Sequence, residues 1–203
     1  MMVTPTMVRR AQQQTGTLPA ENPAQRFHTG SGVGFYELFE EHLDIQTEAQ
    51  KEYEMSKEID NKAIVGRWFT EFWGKNCDLR VIDELAAPEM LLKYSLHEPR
   101  RGREDIKAFM IGFRKAFPDL NFWGTADLIA EGDYVVGQWE GGGTHTGPAF
   151  SDFLLGSLPA ATGRKMHFTG TTVLRVKDGK IAEEIGLDDG VTALQQLGII
   201  RKV

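Results

Sequence analysis

Residues 165–188 read KMHFTGTTVLRVKDGKIAEEIGLD, and this stretch decides the fold. Two alternating runs, Lys165–Lys177 and Lys180–Asp188, flank Asp178-Gly179. That dipeptide closes tight hairpins because both positions accept a left-handed backbone. Upstream, Tyr134–Thr146 alternates in the same way and follows a turn at Glu131-Gly132-Asp133. Leu120–Ala130 reads as one further strand. A long connection, Gly147–Gly163, joins the second and third runs and carries two prolines. The C-terminal half is therefore an antiparallel meander, closed by a short helix at Val191–Leu197.

Before the meander the period changes from two to about 3.6. Asn61–Gly74 sets Ile64, Val65, Trp68, Phe69, Phe72 and Trp73 in one wide apolar stripe, which has to be buried against a sheet. A short helix carries Val81, Ile82 and Leu85 and ends before Pro88. Met90–Glu98 is extended or irregular. A third helix, from about Arg103 to Phe117, turns Ile106, Phe109, Met110 and Phe113 inward. Helices first and an antiparallel meander second is the α+β order.

The 203 residues and net charge of −6 restrict the function. An acidic chain is a poor partner for nucleic acid, which needs a basic face to displace counterions. No apolar run approaches the ~20 residues of a membrane span. Cys77 is the one cysteine and excludes an internal disulfide, so a reducing, cytoplasmic setting is expected. Residues 1–60 hold five basic and ten acidic side chains, against eighteen and nineteen in the rest. We therefore expect an N-terminal extension over 1–60 (coil over 1–34, helix about 35–60) and a globular body over 61–203. The extension is expected to pack on a second subunit.

Ten short words in order carry a family resemblance. They begin with Asn61-Lys62-Ala63-Ile64-Val65 and Asp83-Glu84-Leu85-Ala86-Ala87-Pro88. They continue through Gly102-Arg103-Glu104, Ala116-Phe117-Pro118-Asp119-Leu120 and Leu128-Ile129-Ala130-Glu131-Gly132-Asp133. Gly143-Thr144-His145-Thr146-Gly147, Thr162-Gly163-Arg164 and Phe168-Thr169-Gly170 follow. Asp178-Gly179-Lys180-Ile181 and Leu194-Gln195-Gln196-Leu197-Gly198 close the set. Together these words resemble the SnoaL-like polyketide cyclase (ester cyclase) family of the NTF2-like superfamily. The resemblance implies a cone in which a curved antiparallel sheet wraps over three helices and encloses one pocket. It also implies a homodimer, a small-molecule substrate, and ring closure by aldol chemistry without metal or organic cofactor. Relatives run dehydratase and isomerase reactions in the same pocket or only bind ligands, so the fold does not settle the function.

The family's acid/base aspartate falls here on Gly186. A family histidine two residues earlier falls on Glu184, and one on the preceding strand falls on Thr172. Alternation puts Glu184, Gly186 and Asp188 on one strand face, with Glu183 turned the other way. Glu184 is expected to be the general base, since desolvation raises a pocket carboxylate toward neutrality; otherwise it is a solvated or ion-paired strand residue. Asp189 reads either as a pocket carboxylate or as the N-cap of the closing helix. His145 reads either as a partner acid or as a strand-end residue bonded to backbone. Tyr94, His97, Trp139, Phe168, Thr172 and Asp188 are the expected substrate-binding residues. His167 is expected to lie outside the pocket. No metal is expected, because the five histidines (28, 42, 97, 145 and 167) show no ligand spacing. The apolar residues Phe150, Phe153, Leu154 and Leu155 are expected to make the 147–163 connection a lid on the pocket or a partner contact. Hydrogen exchange across 150–155 as fast as in a free peptide would count against both.

Overall fold

A computed structural model describes residues 33–201, with side chains described from Thr47 onward. Contacts divide the chain into Met1–Leu43 and Asp44–Val203. The coil expected up to residue 34 falls outside the described residues, save that Val33 and Gly34 already belong to a helix. The helix expected over about 35–60 is present, with no side chain described before Thr47.

Helix α1 spans Val33–Trp68 and passes through Asp60 without a break. The division expected at Asp60 therefore falls inside one helix. The reason is local: residues 46–60 contain Gln, Glu, Lys, Ala and Met but no glycine or proline, so nothing in them stops helix propagation. Its exit is unusual. Phe69–Trp73 form a π-helical turn, in which Phe69, Phe72 and Trp73 are all buried. Arg114 pins the end of that turn, donating to the carbonyls of Trp73 (3.2 Å), Gly74 (2.6 Å), Lys75 (3.3 Å) and Leu120 (3.0 Å). Helices α2 (Arg80–Leu85) and α3 (Arg103–Ala116) follow, with Ile106, Phe109, Met110 and Phe113 of α3 buried as the periodicity requires.

The strands are β1 (Ala86–Lys93), β2 (Arg100–Arg101), β3 (Asn121–Gly124), β4 (Ile129–Glu131), β5 (Tyr134–Thr144), β8 (Lys165–Lys177) and β9 (Lys180–Asp188), in a seven-stranded sheet. Its order is β2-β1-β9-β8-β5-β3, with β4 beside β3 on the same edge of β5. The β8–β9 hairpin turns at Asp178 (φ 51°) and Gly179 (φ 70°), the left-handed pair that the Asp-Gly dipeptide requires.

Two expectations are corrected here. The sheet is not wholly antiparallel: β1 lies parallel to β9, because the helical connection after β1 lets a distant strand take its edge. Leu120–Ala130 is two strands, interrupted over 125–128. The 147–163 connection contains a hairpin, β6 (Phe150–Phe153) with β7 (Gly156–Leu158). A final helix α4 (Gly190–Gln196) closes the chain against β8.

Candidate active site

The concave face of the sheet and the helices enclose a cavity. Its wall consists of Phe69, Trp73, Tyr94, Leu96, His97, Phe113, Phe122, Trp139, Phe168 and Asp188. Rings contact one another edge to face around it, as in Trp73–Tyr94, Trp73–Phe122, Tyr94–Trp139 and Trp139–Phe168. The space between them is narrow, about 410 Å³ with its mouth included. Five of the expected binding residues line it: Tyr94, His97, Trp139, Phe168 and Asp188. Thr172 stands one hydrogen bond behind the wall.

Glu184 has no solvent exposure and does not line the cavity. It sits behind Tyr94, in a cage of three donors. Trp68 Nε1 donates to Oε2 at 2.7 Å, Trp73 Nε1 to Oε1 at 2.8 Å, and the Tyr94 hydroxyl to Oε1 at 2.6 Å. The π-helical turn makes this possible. On an α-helix two residues five apart point about 140° away from each other, whereas an i→i+5 turn brings them to nearly one side. Trp68 and Trp73 are such a pair. Burial pushes the Glu184 carboxyl up to about 7, although hydrogen bonds from Tyr94, Trp73 and Trp68 all favour the charge. Burial, reinforced by the neighbouring Glu184 charge, likewise raises the Tyr94 phenol well above its ordinary value. Neither solvation nor an ion pair describes Glu184. Glu183, on the other face, pairs with Arg175 at 2.8 Å.

The tyrosine also explains Gly186. A Cβ added at Gly186 would lie 2.1 Å from Tyr94 Cε1 and 2.5 Å from Cδ1. The aromatic ring thus fills the place where the resemblance puts an aspartate. Thr172, opposite Gly186 in the β8–β9 register, closes the network. Its Oγ1 accepts from Trp139 Nε1 at 2.8 Å and lies 3.0 Å from the Tyr94 hydroxyl. Tyr94 was expected at the pocket, but nothing in the sequence pattern put it over Gly186; it lies just beyond β1 and is carried to β9 by the parallel pairing.

At the other end of the wall, Asp188 accepts from the Ser95 hydroxyl. Burial raises its carboxyl, against the hydrogen bond from Ser95 and the nearby His97. His97 is buried, with Nδ1 3.3 Å from Asp152 Oδ2. Asp152 also pairs with Arg100. Burial opposes the Asp152 charge, and hydrogen bonds from His97 and Arg100 outweigh it, holding the carboxyl below its usual range. The β6–β7 hairpin therefore bears on the cavity indirectly: Phe153 stacks on the His97 ring at 5.2 Å, while Leu154 and Leu155 at its tip are exposed.

Two expected catalytic residues stand elsewhere. His145 is fully buried under Phe117, with Nδ1 3.0 Å from Thr162 Oγ1 and Nε2 2.9 Å from the Pro148 carbonyl. Both ring nitrogens are committed to tying the two ends of the 147–163 connection together, at Pro148 and at Thr162. Asp189 caps α4, accepting from the Thr192 amide at 3.2 Å, and its side faces a groove on the outer surface of the sheet. His167 is exposed, outside the cavity wall as expected. Among the described residues, no three His, Cys, Asp or Glu side chains converge as metal ligands, and no helix is long and apolar enough to cross a membrane.

Solved structures of other proteins are similar to this chain in fold. IdmH of Streptomyces antibioticus is 28% identical, over 68% of this chain and 98% of that one, with a TM-score of 0.52. TsrD of Streptomyces laurentii is 24% identical over 70% and 97%, with a TM-score of 0.56. A phenazine biosynthesis-related protein of Pseudomonas aeruginosa is 15% identical over 75% and 94%, with a TM-score of 0.59. The last two speak to the fold alone. No curated protein matches the sequence. The sequence profile of the SnoaL-like polyketide cyclases matches residues 63–197, which span the cavity from Phe69 to Asp188, and the chain belongs to that family.

Proposed function

We propose that the protein is a cofactor-free acid/base enzyme of the cyclase, isomerase or dehydratase type, acting on a small, largely apolar carbonyl compound. The observation that carries this reading is an aromatic cavity with three ionisable side chains on its wall: Tyr94, His97 and Asp188. A general base has to reach the proton it removes. Asp188 meets that condition and Glu184, sealed behind Tyr94, does not. Asp188 takes the proton next to the carbonyl, while Tyr94 steadies the oxygen on which charge develops. Glu184, expected from sequence to be the base, acts through Tyr94 instead.

The test needs no natural substrate. Small aryl ketones incubated with the protein in deuterium oxide should exchange their enolisable protons, followed by proton NMR. Asp188→Asn should slow the exchange about 100-fold or more, the scale of one general base. Exchange no faster than in buffer, with ketone bound, would remove the catalytic reading.

That outcome would favour the alternative, a non-catalytic small-ligand-binding protein. One observation already speaks for it: the position where the resemblance puts the acid/base aspartate holds Gly186, under the Tyr94 ring. A homodimer in the cytoplasm belongs to the same proposal. Val173, Ile185 and Leu187 are exposed together on the outer sheet face, in adjacent register on β8 and β9. Such an apolar face calls for a partner surface, and a sedimentation mass of one chain would refute the dimer.

A further inference from the structure

The Tyr94 hydroxyl has more claimants than it can serve at once. It donates to Glu184 Oε1 at 2.6 Å and lies 3.0 Å from Thr172 Oγ1, and its ring forms part of the cavity wall. Thr172 Oγ1 already accepts from Trp139 Nε1, so its own proton is free to go to the phenol oxygen. The chain of donors then runs in one direction, from Trp139 to Thr172 to Tyr94 to Glu184. This direction holds only while Glu184 is a carboxylate, because an ionised carboxylate accepts and cannot donate.

A proton on Glu184 Oε1 reverses the last link. The carboxylic acid donates to Tyr94 Oη, which then accepts from both Glu184 and Thr172. With both acceptor positions filled, the phenol O–H has to point elsewhere, and we assign it to the cavity that the Tyr94 side chain lines. We infer that Tyr94 is the oxygen-recognising group of the cavity and that Glu184 governs it. The carboxylate keeps the phenol proton to itself, and the carboxylic acid releases it to a carbonyl or enolate oxygen of the ligand. One proton moves onto Glu184 and no bond other than hydrogen bonds changes. Glu184 is thus a positioning residue and Tyr94 the contact.

The groups that face this pair are Trp68 of α1, Trp73 of the π-helical turn, Thr172 of β8 and, on β9, Asp188, with His97 beside Asp188. The indoles and the threonine do not ionise near neutrality. Asp188 and His97 are the other titratable groups beside the pair, so the experiment has to separate them from Glu184. The inference rests on the cavity being the ligand site, and not on turnover.

The probe is acetophenone carrying ¹³C at its carbonyl, with full-length protein. Its dissociation constant and carbonyl infrared band are followed from about pH 5.5 to about pH 8.5. Binding should be about tenfold tighter at the acid end, the worth of one added hydrogen bond, with the carbonyl band shifted as hydrogen bonding requires. Tyr94→Phe should bind with the weaker affinity at every pH, and Glu184→Gln should lose the pH dependence. If one variant fails to fold, the other and the wild-type band still decide. Binding that ignores pH, with an unshifted carbonyl band, overturns the inference but leaves the cavity as a site. A pH dependence that vanishes in Asp188→Asn and persists in Glu184→Gln overturns it as well. No binding at any pH removes both this inference and the cavity reading beneath it.

Discussion

Gly186→Ala is expected to destabilise the protein by about 3 kcal/mol, far more than a glycine-to-alanine change on a strand ordinarily costs. The backbone is not the cause, since Gly186 is not among the glycines with a left-handed φ. The added methyl carbon would stand 2.1 Å from the Tyr94 ring. That ring cannot step aside cheaply, because its hydroxyl is held by Glu184 and Thr172 and its edges meet Trp73 and Trp139. Gly186→Asp should cost more again, by adding a carboxylate to a site with no spare donor. Pairing either substitution with Tyr94→Ala tests the cause. Tyr94→Ala alone is costly, as a cavity-forming change, yet the double variant should fall at least about 2 kcal/mol short of the sum. Urea unfolding of the four proteins measures this coupling. Strictly additive costs would show that Tyr94 does not occupy the space next to Gly186. The same reasoning applies one register step along: a Cβ at Gly170 would stand 2.2 Å from the Trp139 ring.

How much of this site the sequence carried depends on which contacts are local. The β8–β9 hairpin was legible because its period and its Asp-Gly turn lie within 24 consecutive residues. Helix α3 was legible for the same reason, and alternation placed Glu184 inward and Glu183 outward. The Glu184 cage was not. It needs Trp68 and Trp73, five apart, to converge through a π-helical turn, and apolar periodicity reports only that both are buried. It also needs Tyr94, brought to β9 by a parallel pairing of strands about ninety residues apart. Pairing partners leave no mark in either strand's own pattern. His145 was left open between a partner acid and a strand-end residue bonded to backbone; its ring meets the Pro148 carbonyl and, 17 residues away, Thr162, and the second of these contacts has no local signal. The Gly147–Gly163 connection was read as long and more apolar than a solvent loop; Phe150 and Phe153 are core, while Leu154 and Leu155 are exposed, a division that the composition of the segment does not give.

Stability is expected to fall as pH rises from about 4.5 to about 7, by about 3 kcal/mol. The folded protein holds the Glu184 carboxyl at about 7, whereas an exposed glutamate ionises near 4.5. Between those values the unfolded chain has released a proton that the folded chain keeps, so the unfolded state gains as pH rises. The stabilisation is complete below about 4.5 and is gone above about 7. Asp188, also raised by burial, contributes in the same direction. The carboxylates held low by their partners act differently. Asp78, held at about 2 by Arg80, and Glu71, Asp133, Asp152 and Glu183 lose their contribution only as pH falls below their ordinary range. They cannot cancel a slope that lies above it. Urea midpoints across this window give the slope, and Glu184→Gln supplies the control. Its amide cannot ionise, so most of the slope should disappear. Its NH₂ also faces indole donors, so the variant should start out less stable than the wild type at pH 4.5. The two curves should then converge toward pH 7, where the wild type carries an ionised, buried carboxylate. Parallel curves, or wild-type stability that rises across the window, would mean that the carboxylate is ionised throughout and that the three donors outweigh its burial.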